Sequence, residues 1–202
     1  RRLPPRLPQP RVTDELTVFH NRMFEPIYQW EPLVRAIPLV RQRRPRCRFL
    51  FANRGNEEER ARRLVQELGV ADAVEFLGML PAPALAEFCR RADVFVSLAQ
   101  SDGNNISLNE AMACGAYPVC SDTPAHRQWV THGRNGYILS HPDMAAELAE
   151  ILVSFDSAAV AVRQTAKENY RIVRERADWY VNMGLIAERY RQLATASHVG
   201  GR

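Results

Sequence analysis

Short runs of apolar residues alternate with amphipathic stretches along most of the chain. The runs LTVFH, CRFLFAN, VEFLG, DVFVSL, YPVCS and GYIL have the length and composition of buried strands. Between them apolar residues recur at helical spacing, as at Leu33, Ile37 and Val40, and a short helix is expected near His126 to Thr131. This alternation predicts an α/β fold with a doubly wound, Rossmann-like parallel sheet covered by helices on both faces.

The same pattern divides the chain into segments. Residues 1–13 are rich in proline and are interpreted as a linker, whereas residues 14–175 hold the alternating strands and helices. From residue 144 onward the pattern is helical throughout, with a C-terminal helix expected at 176–196 and a tail at 197–202. The C-terminal helix carries an apolar stripe: Trp179, Met183, Ile186 and Tyr190. This stripe needs a partner surface, either on this domain or on one absent from the chain.

Composition is that of a single soluble domain. The chain has 202 residues, of which 46% are hydrophobic and 25% charged. No apolar run approaches the roughly 20 residues that cross a bilayer, and no signal peptide is recognised, so a cytoplasmic location is expected. The four cysteines stand singly in apolar segments, without the close pairs of metal or redox sites. They are expected to be reduced core residues, and no metal site is predicted.

Arginine supplies nearly all of the positive charge, and the net charge is +4. Five arginines cluster in one short segment: Arg41, Arg43, Arg44, Arg46 and Arg48. Such a cluster can attract nucleic acid or an anionic membrane. Because no aromatic residues are interleaved, we interpret the cluster as the solvated end of a helix. A nucleic-acid partner is therefore not expected, whereas a peripheral membrane contact stays open.

The loop after DVFVSL has the features of an anion site. Asp102 is followed by Gly103, which lets a backbone approach a ligand closely, and then by Asn104 and Asn105, which are good N-cap residues. A helix is expected to follow and to stop at Gly115. Its amino terminus would point out of the sheet's carboxyl edge, where the first backbone N–H groups of a helix can bind phosphate.

Two carboxylates flank this anion site. Glu110 would lie roughly 7 Å along the helix from its start, and Asp102 precedes the helix. Because carboxylates repel phosphate, their useful role is to accept hydrogen bonds from neutral hydroxyl groups of a ribose and a sugar. The structural alternative is that Asp102 shapes the loop while Glu110 pairs with an arginine. Spacing alone leaves both readings open.

A family resemblance rests on this same stretch. The segment DVFVSLAQSDGNNISLNEAMACGAYPVCSD resembles the signature of the retaining glycosyltransferase family four, in which an acidic residue and a Glu are separated by seven residues. The segments VFHNRMFEPIYQWEPLVRAI, VEFLGML, SDTPAHRQWVTHGRNGYIL and ADWYVNMGLIAERYRQL extend the likeness over nearly the whole chain. The resemblance implies the donor-binding half of a metal-independent, two-domain GT-B enzyme. It also implies an absent N-terminal domain for the acceptor, which stays unknown.

The resemblance assigns a role to each candidate residue. Glu110 would bind the ribose, Asp102 the transferred sugar, and Arg22 the phosphates and the charge that develops on the leaving group. The diphosphate would lie on the backbone amides of four residues: Asn104, Asn105, Ile106 and Ser107. The base would be read by backbone near Gly78 and Met79. The nucleoside-diphosphate sugar would be a substrate, and no cofactor is expected.

Two positions depart from the family pattern. The first carboxylate is usually Glu, whereas here it is Asp102, one methylene shorter, which alters its reach to the sugar. A lysine often follows the arginine, but in this loop Ile27 stands at that position. We therefore expect another phosphate contact, for which Tyr28 is the candidate.

The leading hypothesis is an enzyme that transfers a hexose-type sugar and is inactive without its N-terminal domain. The alternative is a noncatalytic nucleotide-binding or scaffold module of the same fold. A dehydrogenase is disfavoured because HNRMFE, rather than a Gly-x-Gly-x-x-Gly motif, follows the first strand. Near the site, His20 and Trp129 are interpreted as structural residues.

Overall fold

The structure, a computed structural model, describes the backbone of residues 15–199 and the side chains of residues 15–194. Within this range six strands form one sheet: β1 Leu16–His20, β2 Cys47–Ala52, β3 Val74–Gly78, β4 Val94–Ser97, β5 Tyr117–Ser121 and β6 Tyr137–Leu139. The α-helices are α1 Trp30–Arg43, α2 Glu58–Glu67, α3 Ala82–Arg91, α4 Ile106–Ala113, α5 Pro124–Arg127, α6 Met144–Ser154, α7 Val160–Arg176 and α8 Trp179–Val199. Every strand predicted from the sequence is confirmed.

All neighbouring strands are parallel, and their order is β3-β2-β1-β4-β5-β6. The chain therefore changes direction across the sheet between β1 and β4. At such a switch point the loops that leave the two strands diverge and open a crevice at the carboxyl edge. The loops after β1 and β4, which carry Arg22 and Asp102, meet at this crevice.

The sheet is buried on both faces, as the apolar strands predicted. Along β1, Val18 and Phe19 point into two different cores, and along β2 Phe49 and Leu50 do the same. Helices α1, α2 and α6 cover the first core, while α3, α4 and α7 cover the second. The doubly wound fold is thus confirmed. The four cysteines are free and buried, as expected.

Helix α4 begins and ends where the sequence indicates. Asn105 is the N-cap, and its side-chain oxygen accepts a hydrogen bond from the Leu108 amide at 3.0 Å. At the other end Gly115 has φ +93°, and its amide donates to the Met112 carbonyl at 3.1 Å. Glycine adopts this left-handed conformation without strain, so it ends the helix.

Other helix boundaries differ from the predictions. Helix α5 begins at Pro124 because Thr123 caps it, with Oγ1 accepting from the His126 amide at 3.2 Å, and it ends at Arg127 instead of continuing to residue 131. The helical tail is divided into α6, α7 and α8. The C-terminal helix begins at Trp179 rather than at 176. The predicted linker at 1–13 lies outside the described residues.

Candidate functional site

Arg22 lies two residues after β1 and joins the two loops of the crevice. Its Nη2 donates a hydrogen bond to Asp102 Oδ2 at 2.7 Å, and its Nη1 donates to Asn105 Oδ1 at 3.1 Å. The Tyr28 ring lies under the guanidinium, 4.4 Å from its centre. The side chains of Arg22 and Asp102 are only 11% and 13% exposed. The arginine and carboxylate predicted to serve phosphate and sugar are therefore bound to each other.

Asn105 connects this ion pair to the interior. Its side chain is fully buried, and its Nδ2 donates to Ser97 Oγ at 2.8 Å and to His126 Nε2 at 3.0 Å. The other ring nitrogen of His126 donates to the Ser121 carbonyl at 2.8 Å, so Nε2 is the acceptor. Burial lowers the pKa of His126 and outweighs the opposing effect of that carbonyl. A neutral histidine therefore orients the amide that holds Arg22.

The backbone at the start of α4 is partly engaged. The Ile106 amide donates to the Asn104 carbonyl at 2.9 Å, and the Leu108 amide is capped by Asn105. The Ile106 amide therefore has a partner within the protein in this conformation, and the role of the amides from Asn104 to Ser107 in binding a diphosphate stays a prediction. The Asn104 side chain is also held, since its Oδ1 accepts from Trp129 Nε1 at 3.2 Å.

A cavity of about 760 Å³ opens beside α4. Half of the predicted site residues line it: Met79, Asn104, Ile106, Ser107 and Glu110. The other predicted residues lie outside its lining: Arg22, Gly78, Asp102, Gly103 and Asn105. A Cβ placed on Gly103 would meet no described atom within 4 Å, so packing within the protein does not require glycine there.

Two asparagines that sequence reasoning missed line the same cavity. Asn21 and Asn53 follow β1 and β2 directly, and Asn53 Nδ2 donates to Asn21 Oδ1 at 3.4 Å. Asn21 Nδ2 donates in turn to Ser107 Oγ at 3.4 Å. Asn53 has φ +85°, and its amide donates to the Gly78 carbonyl at 2.7 Å. Polar residues directly after two buried strands were the signal that pointed to them.

The far wall of the cavity comes from the junction of α7 and α8. The junction contributes Arg176, Trp179, Met183 and Ile186, and Trp129, which follows α5, packs against Arg176. Trp129 is 7% exposed and packs in the second core, as its structural interpretation predicts, while its edge also reaches the cavity. Three of the four residues of the α8 stripe thus line the cavity together with α4, yet Trp179 remains 57% exposed. The apolar stripe was predicted from the sequence, but not that it lines a cavity.

Comparison with known sequences identifies the family. The sequence profile of the glycosyl transferases group 1 family matches residues 8–169. The chain belongs to this family. It is 31% identical to the D-inositol 3-phosphate glycosyltransferase of Pseudarthrobacter chlorophenolicus, over 83% of this chain and 40% of that protein. It is 29% identical to the GDP-mannose:cellobiosyl-diphosphopolyprenol alpha-mannosyltransferase of Xanthomonas campestris, over 73% of this chain and 39% of that protein. The chain spans about two fifths of these relatives.

Solved structures share the fold of this group 1 glycosyltransferase chain. A TarM variant of S. aureus, solved with UDP, matches with a TM-score of 0.76 at 18% identity, over 96% of this chain and 37% of that one. HepE of Anabaena, solved with UDP and glucose, matches with a TM-score of 0.78 at 20% identity, over 89% of this chain and 49% of that one. The chain therefore has the Rossmann-like fold found in GT-B glycosyltransferases.

In this group 1 glycosyltransferase chain, His20 is a buried structural residue. Its Nδ1 donates to the Val96 carbonyl at 3.0 Å, and its ring packs 5.6 Å from that of Phe51. Burial lowers the pKa of His20 to about 4, so the ring is neutral near pH 7. His20 does not line the cavity. These contacts agree with its structural interpretation.

The arginine cluster lies at the opposite edge of the sheet, where α1 ends and β2 begins. Arg41 binds Asp72, and Arg43 binds Glu150 at 2.5 Å. Arg44 donates to the carbonyl of Phe155 at 2.5 Å. These partners favour the solvated-helix interpretation over an anion-binding surface. Among residues 15–199, no helix combines the length and the apolarity needed to cross a membrane.

Proposed function

We propose that this chain binds a nucleoside-diphosphate sugar and forms the donor side of a retaining glycosyltransferase that transfers a hexose-type sugar. The cavity beside the amino terminus of α4, at the switch point of the sheet, carries the proposal. Rossmann-like sheets bind nucleotides at this place, and about 760 Å³ accommodates a ligand of that size. The family supports the same reaction class, and the name of the Xanthomonas relative includes a donor of this kind, GDP-mannose.

The diphosphate would lie where α4 begins. The positive end of the helix dipole and the Arg22 guanidinium lie on either side of Asn105, which contacts both. Negative charge that develops on the departing nucleoside diphosphate would be stabilised by the same groups. Because these groups supply positive charge, we propose a transfer that uses neither a metal ion nor a cofactor beyond the donor.

The two carboxylates would then serve different parts of the donor. Glu110 lines the cavity about one turn into α4, where it can accept hydrogen bonds from ribose hydroxyls. Asp102 is bound to Arg22 at 2.7 Å, so phosphate and Asp102 compete for the same guanidinium. When Arg22 turns to the phosphates, Asp102 is released to accept hydroxyls of the sugar. Met79, which directly follows β3 and is 73% exposed, would lie against the base.

The acceptor would be bound by another domain of the same protein. The matched region spans about two fifths of the relatives, which leaves room in them for a second domain. The exposed stripe on α8 offers a surface for such a domain, because Tyr190 is 72% and Ile186 46% exposed. Since closure of a two-domain cleft completes a site of this kind, we expect this chain alone to bind donor weakly and to transfer no sugar.

A noncatalytic nucleotide-binding or scaffold module is the second candidate. The ion pair favours it, because Arg22 neutralises the carboxylate that would otherwise bind the sugar. Under this alternative, Asp102 keeps its partner when nucleotide binds, and the sugar adds nothing to the affinity. The two candidates therefore differ in how Asp102 affects sugar conjugates compared with bare nucleotides.

Calorimetry with UDP, GDP, ADP and their hexose conjugates tests the proposal. We expect one base to be preferred, with the same affinity in the presence of a metal chelator. Glu110→Ala should weaken binding about tenfold or more, because a charged hydrogen-bond acceptor is lost. Asp102→Ala should not weaken the binding of the bare nucleotide, since the substitution frees Arg22. It should, however, reduce the preference for the sugar conjugate over the bare nucleotide.

Glu59→Ala is the matched control, because Glu59 is an exposed glutamate of a helix away from the cavity. It should bind every ligand as the unaltered chain does. No binding of any nucleotide at millimolar concentration would exclude a donor site. Nucleotide binding with no preference for the sugar conjugate, and no effect of Asp102→Ala on that preference, would support the noncatalytic module.

A further inference from the structure

One cation in the cavity wall has no role in the proposed site. Arg176 is the last residue of α7, and its guanidinium lies over the Trp129 ring, 4.6 Å from the ring centre. The side chain is exposed and lines the cavity of about 760 Å³. Among the described lining residues, the charged side chains are those of Arg176 and Glu110. The cavity therefore presents one positive and one negative group.

Arg176 differs from Arg22 in the availability of its charge. Arg22 already binds the carboxylate of Asp102 and the amide oxygen of Asn105, so its positive charge is already balanced by that carboxylate. Among residues 15–194, by contrast, no carboxylate forms an ion pair with Arg176. The contact described for its guanidinium is with the indole face of Trp129. A cation held on an aromatic ring and open to a cavity can accept an anionic ligand without first losing a partner.

Trp129 fixes where in the cavity this cation lies. Its Nε1 donates to Asn104 Oδ1 at 3.2 Å, and Asn104 belongs to the loop that leads into α4. The stacked pair is therefore tied to the end of the cavity where the helix begins. Ile106 and Ser107, the first residues of α4, line the same end. The positive ends of the helix dipole and of the Arg176 side chain thus face a common space.

We propose that Arg176 is a second anion-binding residue of this cavity and contacts the diphosphate of the donor, with Trp129 as its positioning residue. The inference rests on the proposed function. A diphosphate carries charge on both phosphoryl groups, and a guanidinium presents two parallel N–H donors that match phosphate oxygens. Arg22 of the β1 loop, which lies outside the cavity lining, and Arg176 in the cavity wall would then both contact the diphosphate.

Calorimetry at two salt concentrations tests the charge of Arg176. Arg176→Gln should lower the affinity for UDP or GDP, whichever binds, about tenfold, because one charge-assisted contact is lost. It should also make the affinity less dependent on salt, while the affinity for the uncharged nucleoside stays the same. Arg176→Lys should retain most of the affinity for the nucleotide. Inorganic pyrophosphate should displace nucleotide from the unaltered chain more effectively than from Arg176→Gln.

Arg174→Gln is the control, because Arg174 is exposed in the same last turn of α7 but does not line the cavity. An arginine in a last turn also complements the helix dipole, so thermal unfolding is measured for both variants. Equal effects of the two substitutions on nucleotide affinity would mean long-range electrostatics and would overturn the inference. Unchanged affinity in Arg176→Gln would overturn it as well.

Substitution of Trp129 tests the positioning role. Trp129→Phe keeps an aromatic face and should keep the affinity within about threefold, whereas Trp129→Leu should approach the loss seen in Arg176→Gln. Nucleotide binding should also change the fluorescence of Trp129, so the signal change should be smaller in Trp129→Phe. A Leu variant that folds and binds normally would exclude the positioning role. If the unaltered chain binds no nucleotide, the proposed function fails together with this inference.

Discussion

His20 shows how burial controls a single titratable side chain. The ring is fully buried at the end of β1, Nδ1 donates to the Val96 carbonyl, and Nε2 has no partner among the described residues. Burial lowers the pKa of His20 from 6.5 to about 4, and the Val96 hydrogen bond opposes this shift only in part. Because the folded pKa lies below the unfolded value, protonation favours unfolding. Stability is therefore complete above pH 6.5 and falls as the pH drops toward 4.

Replacement of His20 should remove this pH dependence. His20→Asn retains a donor near Nδ1 but does not titrate, so the variant should be less stable at pH 7 yet lose less stability on acidification. The difference between the two proteins should reach about 3 kcal/mol in the free energy of unfolding between pH 7 and pH 4. Urea unfolding at several pH values measures it. His126 titrates in both proteins, so parallel pH profiles would show that His20 is not the group responsible.

Sequence reasoning named Arg22, Asp102 and Asn105 but not the bonds between them. The Arg22–Asp102 contact joins residues 80 positions apart, and the Asn105–His126 contact joins a helix cap to another helix. Local pattern predicts which segment a polar residue occupies. It does not predict which buried partner satisfies that residue, because the partner depends on the register of packed elements.

At the scale of the element, the N-cap of α4 has two tasks. Asn105→Ala removes the cap, the amide that donates to His126 Nε2 and the oxygen that accepts from Arg22 Nη1, so we expect a loss of about 2–4 kcal/mol in the free energy of unfolding. Because Arg22 also loses its orientation, nucleotide affinity should fall about tenfold. Urea unfolding and calorimetry on the same preparation measure the two effects.

Asp143→Ala is the matched control for this prediction. Asp143 caps α6, where its Oδ1 accepts from the Ala146 amide at 3.1 Å, away from the cavity. Its substitution should cost about 1 kcal/mol of stability and leave nucleotide affinity unchanged. If Asn105→Ala destabilises the chain but binds nucleotide normally, the cap of α4 is structural and plays no part in binding.

Strands and helices with a clear pattern of apolar residues could be predicted from the sequence, whereas the residues at which they begin and end could not always be predicted. The buried strands carried enough apolar residues to be recognised, and Asn105 and Gly115 marked α4 at both ends. Helix α5 was misplaced because its start depends on the Thr123 cap and on Pro124 rather than on periodicity. The C-terminal helix was predicted from residue 176, close to the break between α7 and α8, but it begins at Trp179, where Asp178 Oδ1 accepts from the Tyr180 and Val181 amides.

At the scale of the whole molecule, the strand order creates the site. The alternation of strands and helices predicted a doubly wound sheet, and the order confirmed here places β1 beside β4. Only this neighbourhood brings Arg22 within 2.7 Å of Asp102. The cavity, however, also needs the α7–α8 junction, and its packing could not be predicted from an apolar stripe that has more than one potential partner.

Helix α8 should therefore contribute to binding more than to folding. It exposes large apolar side chains along its length, with Leu185 66% and Tyr190 72% exposed, so little of the core depends on it. Removal of residues 179–202 should change the free energy of unfolding by less than about 1 kcal/mol, because few buried contacts are lost. It should nevertheless weaken nucleotide binding, since Trp179 and Met183 leave the cavity wall.

Urea unfolding and calorimetry of the shortened chain measure this separation of roles, and removal of residues 195–202 alone is the control that should affect neither. Loss of cooperative unfolding in the shorter chain would instead make α8 part of the core. Unchanged affinity would mean that the donor reaches only the α4 side of the cavity. Arg176 remains in the chain shortened at residue 178, so this chain tests the cation without the apolar wall. Arg176→Gln should lower its remaining nucleotide affinity further.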